Sequence, residues 1–316
     1  MNIWNEKKKI EFTILGFVCC DIFEEEKREE IGGSAGNVAT ILNNLGQNVS
    51  LWFPKYSDIR GESIYQKLIV NGIKVIDFTT TRLQMPYVCM EYDTIYKRQR
   101  LISFDGKKRI VSKVCLPTET QVKRRIDILN ENSFLFTDRM SEGIHLAIRT
   151  VQAMKGWVFY EPNGCRTYDT FAGAVKKADI VKFSTEKIFE KYIEMLKQDI
   201  VDSKIRIIIV TEGEKGVKFC FRNEEKFSDW IKIKAHKIEV IDSIGAGDWL
   251  SACFILLFGY EYPNNKNIFL EERILIKILY TAARVAEISC KYRGCYDFVK
   301  EKEMLLEIER IYNEFK

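Results

Sequence analysis

A mostly parallel β-sheet covered on both faces by helices, with a small β appendage, is the α/β fold this sequence predicts. Two observations carry the prediction. Strand-like and helix-like stretches alternate along most of the chain, and a hairpin-like pair of strands interrupts that alternation once, near residues 84–112. A third concerns domain count: with no internal repeat, no low-complexity linker and only 5 prolines in 316 residues, one compact unit over residues 1–316 is favoured over two tethered ones.

Each element has a local reason. Phe12 to Val18 reads as a strand of β-branched and aromatic residues ending at Asp21. Gly32-Gly33-Ser34-Ala35-Gly36 is a Gly-rich loop that opens a helix from about Asn37 to Leu45, stopped at Gly46. Val49 to Phe53 is a second strand, Ser63 to Val70 a helix stopping at Asn71-Gly72, and Lys74 to Phe78 a third strand. Tyr87–Tyr92 and Ile95–Ile102 then form the interrupting hairpin around Asp93-Thr94. From Thr120 the alternation returns, with strands at Phe134–Phe136, Trp157–Tyr160, Ile180–Phe183 and Ile205–Val210. Ile231, Ile233, Ile238, Val240 and Ile241 read as strand residues, and the apolar run Trp249–Phe258 is too long for a typical strand and reads as a buried helix.

Composition narrows the class. A hydrophobic content of 46% with 30% charged residues is ordinary for a soluble globular protein. A net charge of +4 over 49 basic and 45 acidic residues is too balanced to argue for nucleic acid, and the charge runs are solvated faces. Nine cysteines without a Cys-x-x-Cys pair, and only two histidines (His145, His236), argue against zinc and for reduced, buried thiols in a cytoplasmic protein. Lys7-Lys8-Lys9 followed by Ile10–Cys20 loosely mimics a signal peptide, but Glu11 interrupts it and no small-x-small site follows. No other apolar stretch reaches the ~20 residues of a membrane span, so no membrane partner is expected.

Chemistry is concentrated at one turn. Gly245-Ala246-Gly247-Asp248 lies between the last strand-like residues and the buried helix. Glycines there let backbone approach a ligand, and the N–H groups at a helix N-terminus attract an anion, typically phosphate. A carboxylate beside a bound phosphate makes sense if Asp248 takes a proton from a hydroxyl while the amides stabilise a phosphoryl group in transfer. The plain alternative is a first-turn helix residue. A dinucleotide turn fits poorly, because Leu250 stands where the pattern wants Gly or Ala. Ligands of parallel sheets lie at the carboxyl ends of the strands. Sorted by that rule, Asp21, Gly32, Gly33 and Asn37 form an early cluster suited to hydroxyls. Glu161, Pro162, Asn163 and Arg166 follow a middle strand, and Ser184, Glu186, Thr211, Gly213 and Gly245–Asp248 follow later ones. Singly, Asp21 reads as a turn residue, Asn37 as a helix cap and Gly213 as part of a hairpin turn.

Gly32-Gly33-x-x-x-Asn37 together with Asp242-Ser243-x-Gly245-Ala246-Gly247-Asp248 resembles the two signatures of the ribokinase-like carbohydrate kinases. Asp58-x-x-Gly61, Thr211-x-Gly213 and Arg293-Gly294-Cys295 extend the likeness nearly end to end. The resemblance implies a three-layer α/β/α sandwich with a β lid, here about residues 22–31 and 84–112. It implies ATP-dependent phosphorylation of a sugar hydroxyl or, alternatively, of a nucleoside, with Asp248 as base and the Gly245, Ala246 and Gly247 amides as anion hole. By the same resemblance Asp21, Gly32, Gly33, Asn37 and, for an acidic sugar, Arg166 meet the substrate, while Ser184, Thr211, Gly213 and Asp242 line the nucleotide. Mg2+ bridges the phosphates, some members add a monovalent cation such as K+, and lids of this family often form a homodimer contact. The chain departs from the pattern in places. The family's Asn-x-x-Glu, linked to magnesium, appears as Ser184-Thr185-Glu186-Lys187, leaving Glu186 as the metal candidate. Trp249 replaces a small residue beside the base, and Ser243 the usual Thr. Ser184 and Lys187 motivate a third reading, a sugar- or nucleotide-sensing protein that has lost catalysis.

Overall fold

The computed structural model describes residues 9–23, 25–79, 83–93, 98–102, 114–129, 133–162, 167–199, 202–263, 268–299 and 304–315. In chain order the elements are β1 (Glu11–Leu15), β2 (Cys19–Phe23), β3 (Arg28–Gly32), α1 (Ser34–Asn44), β4 (Asn48–Trp52), α2 (Ile59–Val70), β5 (Lys74–Ile76), β6 (Tyr87–Asp93), β7 (Arg98–Ile102), α3 (Glu119–Lys123), β8 (Ser133–Thr137), α4 (Glu142–Ala153), β9 (Val158–Tyr160), α5 (Tyr168–Val175), β10 (Ile180–Ser184), α6 (Glu190–Gln198), β11 (Ile207–Thr211), β12 (Val217–Phe221), β13 (Ile231–Ile233), α7 (Ala246–Glu261), α8 (Glu272–Ser289), α9 (Gly294–Val299) and α10 (Met304–Glu314).

Nine strands make one sheet in the order β13-β12-β11-β10-β9-β8-β1-β4-β5. Every pairing from β5 to β11 is parallel, and only β11–β12 and β12–β13, at one edge, are antiparallel. Because strand side chains alternate, each strand feeds two helical layers. Phe12, Ile14, Phe136, Phe159, Ile207 and Ile209 pack with Val38, Ile41, Phe254 and Ile278 on one side. Leu15, Leu135, Val158, Val181 and Ile208 pack with Ile144, Phe171 and Ile193 on the other. The result is the expected three-layer sandwich. α7 packs against both α1 and α8. Buried all round from Asp248 to Gly259, it is the helix that the run Trp249–Phe258 announces. No helix among the described residues is long and apolar enough to cross a membrane.

The appendage is a four-stranded sheet in the order β3-β2-β6-β7. Its β6–β7 pairing lies where the hairpin is expected, while Thr94 of the turn and residues 103–113 of the lid's second arm fall outside the described residues. Asp58 caps α2, its Oδ1 accepting the Gly61 N–H at 3.1 Å, and the same oxygen accepts the Met85 N–H at 3.2 Å, tying the second arm to the body.

Three expectations are corrected. The strand drawn from Phe12 to Asp21 is two strands in two sheets. The Phe17 N–H turns to the Asp138 carboxylate at 2.8 Å, which breaks the ladder at Gly16 and sends β2 into the lid. The Gly-rich loop is shorter than its sequence suggests, because α1 begins at Ser34 instead of Asn37. The last strand stops at Ile233: the N–H groups of Ile241 and Asp242 both go to the Cys290 carbonyl, at 2.8 and 3.1 Å, so Ile238–Ile241 run as a loop beneath the end of α8. Six of the cysteines (Cys19, Cys20, Cys89, Cys220, Cys253, Cys295) are buried and unbridged, as reduced thiols should be.

Candidate active site

The turn before α7 is built by glycine and aspartate. Gly245 sits at φ 84°, a left-handed conformation that side-chain-bearing residues rarely adopt, and starts the helix so that Asp248 falls in its first turn. Asp242 shapes the approach. Its Oδ1 accepts the Ile244 N–H at 3.0 Å and its Oδ2 accepts the Gly294 N–H at 2.8 Å, with 1% of the residue exposed. The resemblance implies that Asp242 lines the nucleotide, and its carboxylate fastens this turn to the start of α9. The first-turn amides lie at the positive end of α7, where a helix leaves N–H groups without intrahelical partners. The Ala246 N–H is partly engaged by the Ser243 carbonyl at 3.3 Å. Trp249 is fully buried, donating its indole N–H to the Cys295 carbonyl at 3.1 Å and packing on Phe298.

The two sequence motifs meet here. Asn37, in the first turn of α1, donates from Nδ2 to Asp248 Oδ2 at 2.6 Å across 211 residues of sequence. The Tyr296 hydroxyl donates to Asn37 Oδ1 at 3.1 Å, which fixes the amide with its NH2 toward the carboxylate. Gly33 caps α1 at φ 79°, and a Cβ there would lie 2.3 Å from the Phe17 carbonyl oxygen. Gly33→Ala is therefore expected to destabilise the fold by about 1–3 kcal/mol, read as a lowered urea midpoint. Asp21 comes down from lid strand β2, and a Cβ on Gly32 would lie 2.1 Å from its Oδ1, so this glycine makes room for the carboxyl. Ion pairs hold that part of the lid down: Arg28 with Asp297 at 2.8 Å, and Arg293 with Glu26 at 3.0 Å.

Four acidic side chains thus share a small volume. Burial, then the Glu161 charge, push Asp248 above the ordinary carboxylate range, opposed by the Asn37 hydrogen bond and by Lys182 and Lys187. Burial, with the Asp248 and Glu30 charges, carries Asp21 up to about 7 against the lowering Cys19 hydrogen bond. Burial lifts Asp138 to about 6, with Arg139 working against it. Carboxyls raised by burial and by like charges cluster where protons are exchanged. They also set a sign for stability. Asp21 binds its proton more tightly folded than unfolded, so it stabilises the fold fully below its unfolded value near 3.9 and loses that contribution as pH rises toward 7. The melting temperature of Asp21→Asn minus that of the wild type should rise between pH 4 and 7 and level off above; a difference independent of pH contradicts the assignment.

Ser184 and Thr211 stand opposite each other at the ends of β10 and β11. The Thr211 hydroxyl donates to the Phe183 carbonyl at 3.2 Å, and Ser184 Oγ accepts the Glu186 N–H at 3.3 Å. Gly213 starts the short turn Gly213–Lys215 joining β11 to antiparallel β12, so its hairpin-turn reading holds. Glu186 is exposed, and among the described residues no group of three or more His, Cys, Asp or Glu converges to cage a metal ion. Arg166 lies outside the described residues. Tyr296, Asp138 and Lys182 are site residues that the sequence reading did not single out. Lys182 alone carried a signal, being a lysine inside an apolar strand.

A parallel α/β sheet with an anion-attracting helix start, an acid in that first turn and a β lid over it defines a class of phosphotransferases. Residues 24–302 match the family model described as "pfkB family carbohydrate kinase", and the chain belongs to that family and is a phosphotransferase. It is 24% identical over 248 residues to a probable fructokinase-5 of Arabidopsis thaliana, a match covering 73% of this chain and 74% of that protein. Its fold is similar to an ATP-bound fructokinase of Xylella fastidiosa (TM-score 0.75, 15% identity, 97% of this chain and 99% of that one). It is also similar to a ribokinase of Giardia lamblia (TM-score 0.74, 13% identity, 98% and 100%).

Proposed function

We propose that this chain transfers the γ-phosphoryl group of ATP to a hydroxyl, a primary one, of a small sugar, with Asp248 as general base. The observation that carries the reading is the 2.6 Å contact between Asn37 and Asp248, which joins the hydroxyl-binding motif to the base and the anion-attracting turn. A sugar hydroxyl entering between them accepts from Asn37 Nδ2 and donates to Asp248, while Asp21 and the Gly32-Gly33 backbone take neighbouring hydroxyls. The hydroxyl oxygen bonds to the γ-phosphorus as its proton passes to Asp248. The bond from that phosphorus to the β,γ-bridging oxygen breaks, and its electron pair leaves with ADP. The amides of Gly245, Ala246 and Gly247 face the charge that builds on the phosphoryl oxygens. Ser184, Thr211 and Gly213 border the nucleotide. Glu186 would be the protein's carboxylate for a magnesium ion, which would supply charge neutralisation to the phosphates. A homodimer through the lid belongs to the same reading, and light scattering at micromolar concentration tests it.

The deciding experiment is ADP release with Mg2+ and K+ present, over D-fructose, D-ribose, adenosine, inosine and cytidine. A sugar turned over faster than any nucleoside supports the proposal; nucleoside turnover alone replaces it with a nucleoside kinase.

A further inference from the structure

Lys182 is a cation where the strand pattern calls for an apolar side chain. In β10 it shares a face with Ile180 and pairs in register with Ile209, both of which belong to the core beneath α7. It is 2% exposed. Its Nζ donates to the Gly247 carbonyl at 2.6 Å and lies 3.0 Å from Glu161 Oε2, which also accepts the Ser251 hydroxyl at 2.9 Å. A Cβ on Gly247 would stand 3.4 Å from the same Nζ, so the second glycine of the turn leaves the lysine its approach. A buried ion pair contributes little net stability compared with apolar residues of the same volume. What it supplies here is fixed geometry, with strand β10, the end of β9 and the first turn of α7 tied at one point.

We propose that Lys182 is a positioning residue for phosphoryl transfer: with Glu161 it clamps Gly247 from beneath, fixing the first-turn amides and the Asp248 carboxyl toward the pocket. The inference deepens the proposed function and rests on its assignment of Asp248. The groups facing Asp248 are Asp21 from β2, Asn37 from α1, Asp138 after β8, Glu161 after β9, Lys182 from β10, Lys187 beyond it and Cys295 from α9.

The test uses Lys182→Met, Glu161→Gln and the double variant. In protein labelled with 13C-aspartate, the Asp248 carboxyl, assigned by its loss in Asp248→Asn, should titrate about one pH unit or more higher in Lys182→Met and lower in Glu161→Gln. Those shifts show that both charges act on Asp248; the positioning itself is read from the double variant, in which the two charges are removed together. Either single variant that fails to fold is replaced by the double, which leaves no unpaired buried charge. Its turnover, with whichever of D-fructose, D-ribose and adenosine the wild type phosphorylates fastest, should fall ~10–100-fold with the acceptor KM unchanged. Wild-type turnover in the folded double variant, or single-variant titrations that stay put or move the same way, overturns the inference. Full turnover in Asp248→Asn instead removes the base assignment itself, so the two failures are distinguishable.

Discussion

Asp248→Asn is expected to lower turnover by ~10²–10⁴-fold while the protein still folds, the scale of losing a general base. Asparagine keeps the shape and an acceptor oxygen for Asn37 Nδ2, so the contact between the two motifs survives and acceptor binding should change little. The loss therefore falls on kcat. Stability moves the other way from activity. Burial and the Glu161 charge hold the carboxyl above its ordinary range, so its ionised form opposes folding at neutral pH. A thermal midpoint for Asp248→Asn at or above the wild-type value at pH 8, measured beside steady-state rates, separates loss of chemistry from loss of structure. Near-normal rates in this variant contradict the assignment, whatever its midpoint.

The second large effect is on the fold. Lys182→Met leaves Glu161 nearly buried with only the Ser251 hydroxyl beside it among the contacts described above. Removing one partner of a buried pair destabilises by about 3–5 kcal/mol, whereas removing both is often close to neutral. Lys182→Met should therefore lower the melting temperature by roughly 5–15 °C at neutral pH. Adding Glu161→Gln should restore most of that loss. A double variant as unstable as the single one indicates that packing around the lysine stem, and not the stranded carboxylate, accounts for the loss.

How much of this was legible depends on whether the signal is local. The parallel sheet was, because each buried strand and amphipathic helix writes its own period, and so was the start of α7 after Gly245, because the apolar run Trp249–Phe258 is too long for a strand. The break at Gly16 was not: Phe12 to Cys20 is one continuous apolar run, and what divides it is the carboxylate of Asp138, 121 residues from the Phe17 N–H it accepts. The Asp242 carboxylate accepts the Gly294 N–H 52 residues away, a contact with no local trace in the sequence. Tyr296 meets Asn37 across 259 residues, and neither residue carries any local trace of the other. Lys182 is the instructive case, since a lysine in Ile-Val-Lys-Phe breaks the apolar pattern that otherwise identifies the strand. Such a break marks a buried charge whose partner must be sought elsewhere.

The account stands most directly on where an acceptor hydroxyl sits. A crystal structure with D-fructose and a non-hydrolysable ATP analogue should place one sugar hydroxyl within about 2.6–3.2 Å of the Asp248 carboxylate, with the terminal phosphate against the Gly245–Gly247 amides. A bound sugar whose hydroxyls all stay out of reach of Asp248, with Asn37 still occupying that carboxylate, would contradict it.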